Sequence, residues 1–347
     1  MTRHLLVPRP YPRKLSLVFP MYNEERVVPM LRTAVEAFMR EVPCETEVIL
    51  VNDGSADSTI EQLVDWADAD KRIKVIHLSR NFGHQVAATA GLDHASGDAV
   101  VLIDADLQDP LFVIHEMIDR YREGYDVAYG QREARAGETM FKRATAWLFY
   151  RIMRFLVYKD LPLDAGDFRL MSRECLDGLL RMQETHRFLR GMAAWVGCPQ
   201  IPVRYRRASR AAGETKYPLR KMLMFAWTAA TSFSTVPLRL SFGFAFIMGM
   251  LSVEEGIRAM LAFIFGWYTV SGWTSLTVLL SGVGAALLFS LGILGEYVGK
   301  LYEQSKSRPL YIAARTYNLT AAPGGQFPQE EAAAVAGSRA HTARSPR

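Results

Sequence analysis

The chain has 347 residues, 50% of them apolar and 22% charged, and 41 Lys and Arg against 36 Asp and Glu leave a formal net charge of +5. This composition excludes a disordered or collagen-like chain and allows two or three domains. Mean hydropathy of +0.02 is high for a soluble enzyme and low for a transporter, and it predicts a soluble domain with a small membrane appendage. Three scattered cysteines (Cys44, Cys175, Cys198) without a C-x-x-C argue against a disulfide framework or a thiolate zinc site and for a reducing cytoplasm.

Residues 1–13 read as an N-terminal extension without the apolar centre of a secretory signal. Residues 14–131 then alternate short apolar runs with amphipathic stretches. The runs are Leu15–Phe19, Glu47–Val51, Ile73–Leu78, Ala99–Ile103 and Asp126–Tyr129. Helical patterns lie between them near 25–40, 58–69, 84–95 and 110–122. Strands alternating with helices predict βαβ units and a parallel sheet, so the fold class is α/β. Asp57 or Ser58 suits the cap of the second helix, and Pro110 suits the first turn of the fourth.

Residues 132–235 change character. Arg132 to Lys159 carries seven cations against two acids, and Pro202 to Lys221 carries seven against one. Aromatic residues such as Trp147, Phe155, Phe225 and Trp227 are interleaved. A solvated helical face and a nucleic-acid surface are two readings of such a pattern. The membrane segment that follows favours a third, amphipathic helices lying against anionic headgroups, with no nucleic acid as partner.

Within 236–298 two transmembrane helices are expected. Trp273–Gly295 is 23 residues without a charge, and a span needs roughly 20. The stretch 238–264 is apolar except around Glu254, Glu255 and Arg258, and it is read as the other span. Cations flank the outer ends of the pair (Arg220, Lys221 and Arg239 before, Lys300, Lys306 and Arg308 after), and the residues between carry no Lys or Arg. The positive-inside rule then puts the large domain, both termini and the segment 299–320 in the cytoplasm. Residues 321–347, rich in Ala, Gly, Ser and Pro, are expected to be disordered.

The chemistry gathers at strand ends. Asp104-Ala105-Asp106-Leu107-Gln108-Asp109 follows an apolar strand directly. Residues two apart in an extended chain share a face, so Asp104 and Asp106 leave the strand side by side. Ligands of open α/β sheets bind at that edge. Paired carboxylates there suit Mg²⁺ or Mn²⁺ bridging to substrate phosphates. The bland alternative is a capping cluster ahead of Pro110. Asn52-Asp53-Gly54-Ser55 follows a second strand, and Asp53 is placed to accept from a base or ribose. Phe19-Pro20-Met21-Tyr22-Asn23-Glu24-Glu25 follows the first, although Glu24 and Glu25 also suit a helix dipole. No G-x-G-x-x-G follows the first strand, and neither G-x-x-x-x-G-K-[ST] nor G-x-S-x-G occurs.

These runs, with Ser79-Arg80-Asn81-Phe82-Gly83, resemble a family 2 glycosyltransferase with a GT-A, Rossmann-like nucleotide-sugar domain. Gly166-Asp167-Phe168-Arg169-Leu170-Met171, Ala212 to Pro218, Gly295-Glu296-Tyr297 and Ser307 to Tyr311 narrow the resemblance. It becomes that of polyprenyl-phosphate (bactoprenol) glucosyltransferases with two C-terminal membrane helices, which are similar to dolichyl-phosphate mannose synthases. The resemblance implies inverting transfer of one sugar, with UDP-glucose as first choice of donor, to undecaprenyl or another polyprenyl phosphate. The enzyme would be a multi-pass protein of the bacterial cytoplasmic membrane and a homo-oligomer. Pro20, Tyr22, Glu24, Asp53, Arg80 and Asp104 would hold the donor. Asp104, Asp106 and Gln108 would hold Mg²⁺ or Mn²⁺, and Asp167 and Asp106 would be catalytic. Arg132, Arg206 and Lys216 would grip the lipid phosphate. GDP-mannose or an aminosugar nucleotide is the alternative donor, and a non-catalytic scaffold or flippase the alternative of another class.

Overall fold

A computed structural model describes residues 6–132, 165–206, 236–266 and 272–319. The expected interface helices and Lys216 fall largely outside those residues, as does the expected disordered tail. The strands and helices of the first half alternate as β1 (Lys14–Met21), α1 (Val28–Glu41), β2 (Glu45–Asn52), α2 (Thr59–Ala69), β3 (Ile73–Leu78), α3 (His84–Asp93), β4 (Ala99–Leu102), α4 (Val113–Arg122) and β5 (Val127–Arg132). Then come β6 (Ala165–Ser172), α5 (Arg173–Leu180), α6 (Leu189–Trp195), β7 (Gln200–Tyr205), the long helices α7 (Val236–Ile264) and α8 (Gly272–Ser305), and β8 (Ala313–Tyr317).

All eight strands form one sheet, in the order β7-β5-β6-β4-β1-β2-β3-β8. β1 pairs in parallel with β2 and β4, and β2 with β3. These strands are buried on both faces, which is why they read as unbroken apolar runs. In β1, Leu15, Leu17 and Phe19 point into one core and Val18 into the other. The first core is closed by the apolar stripe of α1 (Val28, Leu31, Val35, Phe38), at the helical spacing of three and four. The second is closed by α3, α5 and α6.

The sheet does not stop where composition changes near residue 131. β6 lies antiparallel between β4 and β5, and β7 extends the sheet beyond β5. At the opposite edge β8, which follows the two long helices, pairs antiparallel with β3. Asn318 fastens its end by donating to Ala67 O (2.6 Å) and Ile73 O (2.9 Å).

The edge at the start of the parallel strands is held by one carboxylate. Glu47, buried in β2, accepts from Ser96 N at 2.7 Å and from Ser16 Oγ. Lys74 Nζ is 2.6 Å and Lys14 Nζ 3.1 Å from its Oε2. Burial pushes this carboxyl up, but Lys74, Ser16 and Ser96 outweigh it and bring it down to about 2.

Two membrane spans are expected from the sequence. Among the described residues one stretch, Leu279–Ser305 in α8, is long and apolar enough to cross a membrane, with mean hydropathy 1.7. The stretch 238–264 is helical throughout, but Glu254, Glu255 and Arg258 break its apolar run. α7 and α8 pack side by side and antiparallel. Phe244 meets Phe289 edge to face with centroids 5.0 Å apart, and Met248 lies against Gly282. Their outer surfaces carry exposed Phe242, Phe246, Met250, Leu280, Leu288 and Leu291. An apolar surface of this extent marks an interaction with lipid or protein.

Candidate active site at the C-terminal edge of the sheet

Strand register decides what meets here. Met21 is level with Asn52, and Val18 with Leu102, so the segments after β1, β2 and β4 emerge together. β6 runs the other way, with Arg169 level with Leu102. Its beginning, not its end, therefore lies at this edge, and Asp167 arrives beside Asp104.

The two carboxylates meet on His84, the first residue of α3. Its Nε2 is 3.5 Å from Asp104 Oδ1 and 3.3 Å from Asp167 Oδ2. Gln85 Nε2 donates to Asp167 Oδ2 at 2.8 Å, and Arg190 Nη2 lies 3.5 Å from Asp167 Oδ1. Burial alone would raise the Asp167 carboxyl, but His84, Arg190 and Arg169 hold it well below the usual range. Asp104 has the opposite balance. Burial, with Asp167, Asp109 and Asp106 nearby, pushes its carboxyl up to about 6 against the pull of His84. Neighbouring carboxylates thus have separate fates: cations outweigh burial at Asp167, whereas burial and like charges outweigh His84 at Asp104.

The Asp104–Asp109 turn is shaped by Leu107 at φ 56° and by Gln108 N, which donates to Asp106 Oδ1 at 3.1 Å. Gln108 and Asp109 are buried, and Tyr205 Oη donates to Asp109 Oδ1. Among the described residues no three His, Cys, Asp or Glu side chains are grouped to hold a metal ion. Asp106 lies near enough to Asp104 for its charge to raise that carboxyl, and carboxylate and amide oxygens from Asp104, Asp106 and Gln108 are of the kind that Mg²⁺ or Mn²⁺ takes, so these residues could hold such an ion.

The turns that follow β1, β2 and β3 are tied to one another. Gly54 sits at φ 65°, and a Cβ there would lie 2.4 Å from the carbonyl carbon of Arg80, so the 79–83 loop packs on the turn only because this residue is glycine. Asp53 is 2% exposed and accepts from Phe82 N (2.7 Å) and Gly83 N (2.9 Å). It folds the loop against the turn from beneath. Asn23, at φ 55°, accepts from Ala56 N at 2.9 Å, and Glu24 N donates to Thr59 Oγ1 at 2.9 Å. Asp57 Oδ1 accepts from Thr59 N at 3.1 Å at the start of α2. Tyr22 is exposed at the rim, and Arg80 lies over the Phe82 ring at 4.1 Å. Pro20 is buried in β1.

Of the residues expected from sequence, Asp104, Asp106, Gln108 and Asp167 come together. Pro20, Tyr22, Glu24, Asp53 and Arg80 line the neighbouring turns. Arg132 ends β5 level with Tyr205, and exposed Arg206 follows β7 at that same edge. His84, Gln85, Arg169 and Arg190 were not singled out individually. Arg169 is buried, with Nε donating to Asp167 O (3.2 Å) and Nη2 to Gly166 O (3.1 Å). The run ending Phe82-Gly83 pointed at the loop before α3, but no local pattern pointed at Arg190.

The glycosyl transferase family 2 model matches residues 16–180. An uncharacterized glycosyltransferase of Bacillus subtilis, YkcC, is 43% identical over 92% of this chain and 96% of its own length. The bactoprenol glucosyl transferase of Shigella phage SfV is 38% identical over 86% of this chain and 97% of its own. A glucosyl-3-phosphoglycerate synthase structure from Mycobacterium tuberculosis covers 63% of this chain and 78% of its own, at 18% identity and TM-score 0.42. The family match runs from β1 to α5, across the strands whose ends carry Asp53, Asp104 and Asp167, and similarity to the Bacillus protein extends over 92% of the chain: the chain is a glycosyltransferase and belongs to family 2.

Proposed function

We propose that this enzyme transfers one sugar from a nucleotide-sugar donor, with UDP-glucose as first choice, to a polyprenyl phosphate at the membrane surface. The observation that carries the reading is the convergence of Asp104 and Asp167 on His84, at the sheet edge that adjoins the Gly54 turn. The bactoprenol glucosyl transferase relative supports the acceptor class and the sugar.

The nucleoside is assigned to the rim formed by Tyr22, Glu24 and Arg80, with buried Pro20 and Asp53 shaping the turns behind it. Asp104, Asp106 and Gln108 are assigned to Mg²⁺ or Mn²⁺, which when bound neutralises charge on the donor diphosphate. A phosphate oxygen of the acceptor attacks the anomeric carbon, a C–O bond forms, and the sugar–diphosphate bond breaks with its electron pair leaving on the nucleotide. A polyprenyl phosphate is already an anion at pH 7, so Asp167 acts by position rather than by taking a proton. Arg132, Arg206 and Lys216 are assigned to the acceptor phosphate, a charge-assisted contact that arginine makes with two parallel hydrogen bonds.

The reading includes two membrane crossings and a cytoplasmic catalytic domain. β8 pairs with β3, so the chain beyond α8 returns to the domain it left after β7. A chain that leaves and returns on one side crosses an even number of times. If Leu279–Ser305 crosses, α7 is its partner, and 29 residues at 1.5 Å each reach about 43 Å, beyond the bilayer core. The deciding experiment incubates the full chain with polyprenyl phosphate and labelled UDP-glucose, GDP-mannose or an aminosugar nucleotide. Lipid-linked glucose from UDP-glucose is the expected product. Labelled lipid from GDP-mannose alone would change the donor, and no labelled lipid from any donor would overturn the reading.

A further inference from the structure

The end of the membrane helix reaches Asp167 through a loop that the proposed chemistry does not use. Gln304, in the last turn of α8, accepts from both Thr185 N and Thr185 Oγ1 at 2.8 Å and donates to Gln183 O. Beside it, Glu303 Oε2 is 2.7 Å from His186 Nε2. These partners lie in the loop between α5 and α6, 119 residues before Gln304 in the case of Thr185. Four contacts by two adjacent side chains on one short loop form a specific grip rather than incidental surface proximity.

That loop continues into the shell of Asp167. Leu189 N donates to Gln85 Oε1 at 3.0 Å, and the amide at the other end of Gln85 donates to Asp167 Oδ2 at 2.8 Å. Leu189 O accepts from Arg169 Nη1 at 3.5 Å, and the same guanidinium holds Gly166 O and Asp167 O. The next residue, Arg190, faces Asp167 Oδ1 directly. Six residues of chain, 185–190, thus link the helix end to two holds on the Asp167 carboxylate, from Gln85 and Arg190, and one on its main-chain carbonyl, from Arg169. The outer grip is solvent-exposed, with His186 and Glu303 side chains 39% and 55% accessible, so it contributes little to overall stability. A grip that is weak but directional suits the transmission of position better than the maintenance of the fold.

We propose that Gln304, assisted by Glu303, is a positioning residue: the seated end of the membrane helix sets the α5–α6 loop, and the loop sets Asp167 through Gln85, Arg169 and Arg190. Transfer is then coupled to the seating of the helix. This rests on the reading of Asp167 as a residue of the reacting centre.

The test uses the full chain reconstituted in vesicles, with sugar donor and polyprenyl phosphate varied independently. Gln304→Ala is expected to lower kcat on the order of tenfold, the scale of a small misplacement, with the donor KM little altered. Gln304→Glu, which keeps the acceptor for Thr185, is expected to restore most of the rate. The double variant with Arg190→Ala is expected to lose less than the two single losses combined, because Arg190 is one of the routes by which the loop acts on Asp167. Asn318→Ala loosens a different anchor of the same segment and is expected to lower the unfolding midpoint without changing kcat. An unchanged kcat in Gln304→Ala, or additive losses in the double variant, would overturn the coupling. Full transfer by Asp167→Asn would instead overturn the reading of the reacting centre, so the two failures are distinguishable.

Discussion

Asp104 and Glu47 are acids at opposite edges of one sheet, and their surroundings drive them in opposite directions. Asp104 is raised by burial and by like charges. Removing its charge therefore relieves the folded state while it removes a ligand for the divalent ion. Asp104→Asn is expected to raise the unfolding midpoint by a few degrees, about 1 kcal/mol, and to cut transfer a hundredfold or more. Calorimetry and product assays on the same preparation check both halves, and a variant that is less stable would contradict the charge balance described. Glu47 is held at about 2 when folded, against 4.5 ordinarily. The unfolded chain therefore binds this proton more tightly. The stabilisation is complete above about pH 4.5 and fades as pH falls toward 2, to a total of about 3 kcal/mol. Denaturant unfolding followed between pH 6 and about 3 should show this loss, and Glu47→Gln should be less stable at neutral pH with a flatter acid limb.

At the level of elements, β1 to β5 and α1 to α4 are legible because the strands read as apolar runs, α1, α2 and α4 each show one stripe, and α3 is a short run of small residues buried from Ala87 to Leu92. β6, β7 and β8 are not. β6 carries Asp167 and Arg169, β7 contains Pro202, and β8 reads Ala-Ala-Arg-Thr-Tyr with most of it exposed. Their pairing is settled by partners far away in sequence, which local periodicity does not encode. The site divides in the same way. Asp104 and Asp106 announce themselves by following an apolar run, whereas His84, Gln85 and Arg190 reach Asp167 from two helices that only the tertiary fold brings together. The return of β8 also gives the crossing number a direct measurement. A Phe265→Cys variant, at the far end of α7, is expected to react with an impermeant thiol reagent from outside intact cells, while Cys44 and Cys198 do not. Labelling of Phe265→Cys only after lysis would place that end on the catalytic side and remove α7 as a crossing.

Across the whole molecule the polar chemistry is divided between the two ends of the sheet. The starting edge carries a closed network in which each Glu47 oxygen has partners within the chain. The finishing edge gathers Asp104, Asp106, Asp109 and Asp167, whose mutual repulsion and burial leave the Asp104 carboxyl raised, on the side to which the end of α8 returns. Chelation should act on the second alone. EDTA is expected to abolish transfer, Mg²⁺ or Mn²⁺ to restore it, and the unfolding curve of the metal-free enzyme to move little. Full activity in EDTA would remove the divalent ion from the reaction.

β8 has a further consequence, in the order of events during synthesis. The strand that covers the β3 edge is translated after both long helices, so the sheet stays one strand short while α7 and α8 are being made. An open strand edge invites pairing with other chains, and domains otherwise tend to fold as they emerge. Completion of the catalytic domain therefore waits on the helices being made, and a nascent chain interrupted within them keeps an adhesive edge. Chains stalled just before residue 313 should be more sensitive to protease around β3 than chains stalled well beyond it, and equal sensitivity would mean that the sheet is stable without its last strand.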